Sequence, residues 1–576
     1  MKELNTLLTS LDSIKNPDKA LVLIYVAKAW YKISLDGRIN EELTFDNFYN
    51  HEIKVKKLEL VFKKLAENIH LFSIYKFDVK NFQDNTLVSI LNYVKNTNKL
   101  PNINDMFFSS KGKLEYSVSN QIAELGIKLL DESINEIYVP FTNGFAYANY
   151  TDKKIFADNQ WTKSTLLCEL INIIEDKEIV FKNTNSLEDP AFINPDAPHL
   201  LKQFDNVLSF PPFGVRKKID TSSDKFHRFN FHKGIMLDLA YFEHILAQTK
   251  SKAVVLMPVG FTYRASAEEN FRKHLVDNNY LEAVIQLPPN LHSATSIETT
   301  FLIINKQKKD EKTLFINLKD ESFIKRDGRQ LVFKSVDEIV KIYKNNTELE
   351  NISILIPNTE IKNNNYSFAV DRYIIDPKVK KLQSDLSKFE LNSLETIADI
   401  RRAQLFKDEE EGLKIYEISP SDFNQAGFTL DCGKEKQIGS QEKRLQTYQL
   451  EPYDVLLSTK GTIGKVAVIG EITQPMVASQ AIQVIRLKCS DKKEKAIVLY
   501  MFLKSSFGQS ILSSLVAGVS MPQIATAEIK KLNIPVLTEE QENKAILDFT
   551  SELEMYNEIN RINLNIQSIH RSFLRS

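Results

Sequence analysis

The feature that most constrains this chain is an alternation that runs from residue 105 to 375. Short β-branched runs recur there: Glu136–Val139, Lys154–Phe156, Glu178–Phe181, Asp205–Leu208, Ala253–Met257, Ala283–Leu287 and Thr300–Ile304. Between them lie stretches with apolar residues at spacings of three and four, such as Thr165–Ile174 and Lys233–Thr249. Runs this short and this apolar read as strands buried on both faces. Strands alternating with helices predict an α/β fold, a mostly parallel sheet wrapped on both sides. Such sheets bind ligands at the carboxyl ends of their strands.

The flanks have a different texture. Residues 1–104 are predicted to form a helical domain, with Leu7, Leu8, Leu11 and Ile14, then Leu58, Val61, Phe62 and Leu65, in helical register. A charged, irregular stretch follows the α/β block, and the domain predicted over 390–537 reads as short strands and glycine-containing turns. The last segment, 538–576, is predicted to be one helix. Its apolar residues Ile546, Phe549, Leu553, Tyr556, Ile559, Ile562, Ile566, Ile569 and Phe573 step by three and four, as in a coiled coil. That stripe suits packing on its own domain, or pairing with a second copy or a partner helix.

Composition excludes several classes. No run of about 18 apolar residues occurs, so no membrane partner is expected. The start, Met1-Lys2-Glu3-Leu4-Asn5, has neither the basic residues nor the apolar core of a secretory signal. Cys168, Cys432 and Cys489 are far apart and lack metal-ligand spacing. They read as reduced thiols of a cytoplasmic protein that takes no metal. Lys+Arg number 74 and Asp+Glu 75. With charge so balanced, contact with a polyanion would depend on local cationic patches.

The densest motif is Phe204-Asp205-Asn206-Val207-Leu208-Ser209-Phe210-Pro211-Pro212-Phe213-Gly214, a strand ending in a Pro-Pro turn with an aromatic residue after it. Downstream come Ala253–Tyr263, a helical stretch Glu268–Leu275 with Arg272, then Leu281–Leu291 and Thr295–Lys306. In this order the pieces resemble the modification subunit of type I restriction-modification systems, an adenine-N6 DNA methyltransferase with a Rossmann-like domain. The resemblance implies S-adenosylmethionine as cofactor and a catalytic loop of the pattern Asn-Pro-Pro-Phe. In such loops a flipped adenine stacks on the aromatic residue, while the Asn side chain and a Pro carbonyl accept its amine hydrogens. The carried-over catalytic positions are Phe210, Pro211, Pro212 and Phe213, and the first departs from the family. A phenyl ring accepts no such hydrogen bond, and its bulk is expected at the polar edge of the base.

The family's cofactor loop, Asp-Pro-Ala-Cys-Gly-Ser-Gly, corresponds to Val139-Pro140-Phe141-Thr142-Asn143-Gly144-Phe145, which keeps one glycine and lacks the acid. The implied cofactor positions are Pro140, Asn143 and Gly144, then Asp158 or Asn159 for the ribose hydroxyls, and Asn185 beside the adenine. An upstream Thr-Pro element is not recognisable in Phe107–Ser117. Departures at several functional positions on an intact scaffold point to a pseudo-methyltransferase that acts beside an active partner. The alternative is an active S-adenosylmethionine-dependent adenine-N6 DNA methyltransferase with divergent motifs. Arg216, Lys217 and Lys218, just after the turn, read either as phosphate contacts or as a solvated loop.

The 390–537 region resembles one half of a type I specificity subunit, a mixed α/β target-recognition domain. The matching pieces are Leu394–Ile400, Leu450–Val468, Ala478–Gln480, Leu499–Lys504, Gly518–Ile524 and Leu532–Val536 with Glu539, Glu540 and Gln541. Within them Gly461 and Gly464 bracket a tight turn that projects Lys460, Thr462 and Lys465, small and cationic residues suited to a DNA backbone. Segments 401–415 and 421–447 are candidates for reading bases. The resemblances together imply double-stranded DNA as ligand and a restriction-modification or phage-defence setting. The implied partners are an active methyltransferase or nuclease subunit, and a second copy through the terminal helix. A transcriptional or anti-restriction DNA binder without an enzymatic partner is the remaining reading.

Overall fold

The computed structural model describes residues 17–78, 82–103, 119–232, 234, 236–289, 291, 298–327, 330–375, 384, 386, 388–424, 426–429, 433–515 and 524–572. Leu7, Leu8, Leu11, Ile14, Phe107–Ser117, Cys432, most of Gly518–Ile524 and Phe573 lie outside these residues. The chain divides into two compact units, Met1–Ile374 and Ile375–Ser576.

Among the described residues the first unit holds one nine-stranded sheet. Its strands in chain order are β1 (Glu136–Pro140), β2 (Lys154–Asn159), β3 (Ile179–Asn183), β4 (Phe204–Ser209), β5 (Thr249–Pro258), β6 (Leu281–Gln286), β7 (Thr299–Asn305) and β8 (Lys312–Asn317). A two-stranded ribbon, β9 (Ile324–Asp327) with β10 (Gln330–Phe333), precedes the last, β11 (Ser353–Pro357). The spatial order is β11-β8-β6-β7-β5-β4-β1-β2-β3. The pairs β1–β2, β2–β3, β1–β4, β4–β5 and β6–β8 are parallel, and β7 and β11 run against their neighbours. Each apolar run predicted as a strand forms one, whereas β8 and β11 were not singled out.

Strand alternation divides the side chains between two cores. Leu208, Val254 and Phe301 face one, and Val207, Ala253 and Val255 the other. The first face is roofed by helices that include α1 (Pro17–Leu35), α2 (Val55–Ala66), α3 (Asp84–Asn96), α4 (Asn120–Lys128) and α5 (Lys163–Ile174), with Trp30 inside an aromatic group of Phe45, Phe48 and Phe62. The N-terminal helices thus share a continuous core with the sheet. The second face is covered by α6 (Asp238–Gln248) and α7 (Ala267–Asp277), where Phe242 and Phe271 meet. Arg272, singled out in the sequence, is fully buried in α7 and donates to the carbonyls of Phe261 and Tyr366, each at 2.8 Å. Its work is structural.

The second unit has β12 (Leu391–Ser393), β13 (Ala398–Arg402), β14 (Leu413–Ile418), β15 (Phe428–Thr429), β16 (Lys434–Ile438), β17 (Val455–Ser458), β18 (Val466–Ile469), β19 (Met476–Ala478), β20 (Ile482–Leu487) and β21 (Asn533–Pro535). They form a five-stranded sheet ordered β13-β20-β17-β18-β15, a three-stranded sheet β16-β14-β19, and the pair β12-β21. Helix α8 (Lys492–Lys504) packs on the larger sheet with Ala496, Ile497, Leu499, Tyr500 and Leu503 buried. The terminal helix, α9 (Glu539–Ser572), splits its apolar stripe. Phe549 is buried against Phe428 and Tyr500, at 5.3 and 5.7 Å between ring centres, and Leu553 and Tyr556 are half-buried, while Ile559, Ile562 and Ile566 are 46–51% exposed, with Met555, outside the predicted stripe, at 67%.

Candidate functional site

The strand alternation of β4 continues into the Pro-Pro turn. Phe210 therefore faces the same core as Leu208, beneath α4. Its ring lies 5.7 Å from those of Tyr147 and Phe301. A Cβ at Gly126 would stand 3.1 Å from its Cζ, so the helix comes close because that position is bare. The ring was expected at the polar edge of a base; it is instead 8% exposed and absorbed by the core. Either way no side-chain oxygen stands there. Pro211 is buried, and Pro212 and Phe213 are half-buried. The Gly214 amide donates to Asp238 at 2.9 Å, and the other oxygen of that carboxylate takes Arg264 at 3.3 Å. This buried acid pins the end of the turn to α6.

At the end of β1 the chain bends sharply after Pro140. Phe141 has φ +64°, a left-handed conformation that costs a side-chain-bearing residue on the order of 1 kcal/mol. Its ring packs edge-on against Tyr241 (4.7 Å) and His244 (5.2 Å). Phe141, Thr142, Asn143, Phe145, Asp158 and Asn159 each expose 5% or less. The polar atoms of Thr142, Asn143 and Asn159 bind one another, whereas Asp158 Oδ1 has no hydrogen-bond partner among the described residues. Asn159 Nδ2 donates to the Thr142 carbonyl (3.0 Å) and to Asn143 Oδ1 (2.8 Å), and its Oδ1 accepts from the Trp161 amide at 2.8 Å. The Ser164 hydroxyl bridges Asn143 and Asn159. A Cβ on Gly144 would meet Ile179 Cγ2 at 2.8 Å and Ala157 Cβ at 2.9 Å, so this glycine lets the loop lie flat on β2 and β3. Asn185 is half-buried and its Oδ1 accepts the Leu187 amide at 3.3 Å.

Asp158 lies under this loop in a polar chain that the sequence reading missed. Its Oδ2 accepts from Tyr138 Oη at 2.8 Å. Tyr138 Oη is 3.2 Å from His244 Nε2, and His244 Nδ1 is 2.7 Å from Arg228 Nη1. A guanidinium only donates. His244 Nδ1 is therefore an acceptor, its Nε2 carries the proton and donates to Tyr138, and Tyr138 donates to Asp158. Arg228 also donates to the carbonyls of Ser186 (2.7 Å) and Leu187 (2.9 Å) and pairs with buried Asp224 at 2.9 Å. Burial pushes the Asp158 carboxyl up to about 7, and burial with the adjacent guanidinium pushes His244 well below the usual histidine range. No spacing rule joins residues so far apart. The one signal available was a histidine within α6, whose every neighbour is apolar or buried.

In the second unit, β17 and β18 form the expected hairpin, with Val455 opposite Val468 and Leu457 opposite Val466. Gly461 and Gly464 take φ +72° and +83°, conformations open to glycine at no steric cost. Ser458 ties the turn: its Oγ donates to the Thr462 carbonyl (2.6 Å) and accepts the Lys465 amide (2.9 Å). Gly461, Thr462 and Lys465 are exposed, Lys460 is half-exposed, and Gly464 is buried beneath Gln509. Lys465 Nζ donates to the Pro420 carbonyl at 3.2 Å, which orients the cation without neutralising it. In the first unit Arg216 and Lys218 are exposed, while Lys217 is paired with Glu188.

Comparison with known proteins agrees with these two architectures. A family described as N-6 DNA Methylase matches residues 132–381, and one described as Type I restriction modification DNA specificity domain matches residues 383–567. A type I restriction enzyme MpnII methylase subunit from Mycoplasma pneumoniae is 31% identical over 206 residues, 34% of this chain and 37% of that protein. The MjaVIII methylase subunit from Methanocaldococcus jannaschii is 28% identical over 183 residues, 30% of this chain and 32% of that protein. The matches thus span about a third of the length of these curated relatives. The fold of a type I restriction-modification methyltransferase subunit from Streptococcus thermophilus superposes with a TM-score of 0.54 at 16% identity, covering 64% of this chain and 98% of that one. Residues 132–381 therefore belong to the N-6 DNA methylase family and residues 383–567 to the type I restriction-modification DNA specificity family, carried on one chain.

Proposed function

We propose that this chain is a sequence-specific DNA-binding subunit of a restriction-modification or phage-defence complex in the cytoplasm, and that its methyltransferase-fold domain does not transfer methyl groups. The closed loop after β1 carries this reading. As folded, it does not fit S-adenosylmethionine. Asn143 of the cofactor loop and Asp158 and Asn159, the residues that the family resemblance offers to the ribose, are all buried. Both Asn159 side-chain atoms are already taken by protein partners, and burial favours the neutral form of Asp158. A ligand would have to break these bonds and replace each of them. Phe210 adds a second deficit, since it offers no acceptor to an adenine amine.

Recognition would then fall to the 390–537 domain, with the exposed Gly461, Thr462 and Lys465 of its hairpin turn on the phosphate backbone. Catalysis would come from a separate active methyltransferase or nuclease subunit. The exposed steps Met555, Ile559, Ile562 and Ile566, at spacings of four, three and four, suit a helix from a second copy. A twofold dimer of single recognition domains would read two inverted half-sites. The proposed division of labour follows the domains 1–104, 105–375, 390–537 and 538–576. Calorimetric titration with S-adenosylmethionine, with and without DNA, tests the proposal: no binding heat is expected, and no methyladenine in DNA of expressing cells. Binding together with methylated adenine would overturn it.

A further inference from the structure

The two segments singled out as base-reading candidates, 401–415 and 421–447, come together in the second unit. Strand β14 pairs with β16 from Leu413 opposite Ile438 to Glu417 opposite Lys434. The loop before β14 is anchored twice. Phe406 is wholly buried with Ile415, Ile438, Leu445 and Val477, and its carbonyl accepts from Lys436 Nζ at 2.8 Å. Glu409 accepts the amides of Gly439 (3.0 Å) and Ser440 (2.9 Å), the Ser440 hydroxyl (2.7 Å) and Gln441 Nε2 (2.6 Å). Between β13 and the Phe406 anchor Ala403 is buried and Gln404 half-buried, and two side chains flanking Ala403 and Gln404 face outward. Arg402 is exposed and Leu405 is 47% exposed, an apolar side chain in water beside a buried phenylalanine.

Strand register fixes where this loop begins. Strand β20 lies between β13 and β17, with Arg402 opposite Gln483 and Ser458 opposite Ile482. Both β13 and β17 therefore end at one edge of the sheet. Arg402 leaves that edge two strands from the Lys460–Lys465 turn, within one DNA groove's width. Among the described residues no ion pair or hydrogen bond engages the Arg402 guanidinium.

We propose that Arg402 and Leu405 are the residues of this loop that decide which base pairs are read. The inference rests on the DNA-recognition reading above and deepens it. A guanidinium reads the two acceptors of guanine, and an exposed aliphatic group reads the methyl of thymine. The anchors at Phe406 and Glu409 hold both side chains ready. Base contacts need such rigidity, because each mobile side chain must be ordered on binding.

The test is selection from random double-stranded oligonucleotides by the full-length protein, followed by sequencing. Wild type is expected to enrich a motif. Arg402→Ala should lose about tenfold preference at one guanine-containing position, and Leu405→Ala should relax a different, thymine-containing position, with the remaining positions kept. Both side chains are solvent-facing, so melting temperatures should stay at the wild-type value and retained positions will report a folded domain. If both variants enrich the unaltered wild-type motif, the proposal is overturned. If wild type itself enriches no motif, the DNA-recognition reading fails, and this proposal with it.

Discussion

Replacing Asp158 by asparagine separates a buried structural carboxyl from a working ligand-binding one. The carboxyl rises from 3.8 to about 7 on folding, chiefly through burial. An acid held above its unfolded value weakens the fold wherever the unfolded chain can ionise it. Wild-type stability should therefore fall as pH climbs from about 4 to about 7, then level off. At about 1.4 kcal/mol per factor of ten, the loss reaches about 4 kcal/mol at pH 8 and only about 1 kcal/mol at pH 4.5. The substituted side chain would keep the acceptor for Tyr138 and carry no charge at either pH. Any fixed cost of its new amide hydrogens cancels between the two pH values. The unit Met1–Ile374 should unfold with an entropy near 0.8 kcal/mol/K, so Asp158→Asn should raise its melting temperature by about 4 °C more at pH 8 than at pH 4.5. Differential scanning calorimetry of both proteins at both values measures this. An identical difference at the two pH values would mean that Asp158 is ionised in the folded protein, as an acid facing a ribose would be, and that the site is not closed to a ligand.

Four further outcomes follow from the same structure. Phe210→Asn, which restores the family residue, should not restore methylation in a tritiated-methyl transfer assay; it should cost about 4–6 kcal/mol in chemical denaturation, through lost ring packing and an amide buried in the apolar core. Gly144→Ala should destabilise the first unit by about 1–3 kcal/mol, since its methyl meets Ile179 and Ala157 below 3.0 Å, with the same denaturation as readout. Met555→Asp with Ile562→Asp should turn a dimer into a monomer in sedimentation velocity while far-ultraviolet circular dichroism stays at the wild-type value, because both side chains are exposed on the single chain. Glu409, whose hydrogen bonds from Ser440 and Gln441 hold it down at about 2, stabilises its loop above pH 4.5 and loses that contribution as pH falls towards 2; Glu409→Gln should flatten the acid limb of the second unit's melting curve.

The fold was legible in the chain because its signals are local. The runs ending at Val139, Leu208 and Met257 are apolar on both faces, which only a strand in the middle of a covered sheet can satisfy, and they became β1, β4 and β5. The Pro-Pro turn and the two glycines of the β17–β18 hairpin are likewise conformational facts of one short segment. Helix α8 was harder to see, since its apolar residues also suit a strand over so short a run and only packing on the sheet decides. The chain also determined that Phe210 offers no acceptor, because that is a property of the side chain alone. Where the ring would go was a matter of tertiary structure. The ring lies in the core because β4 extends its alternation by one residue and Gly126 leaves room above. Tertiary structure alone likewise assembled Asp158, Tyr138, His244 and Arg228. A hydrogen-bonded chain depends on distances between strands and helices that no sequence spacing encodes, and burial, which sets the charge of every group in it, exists only once the sheet is covered.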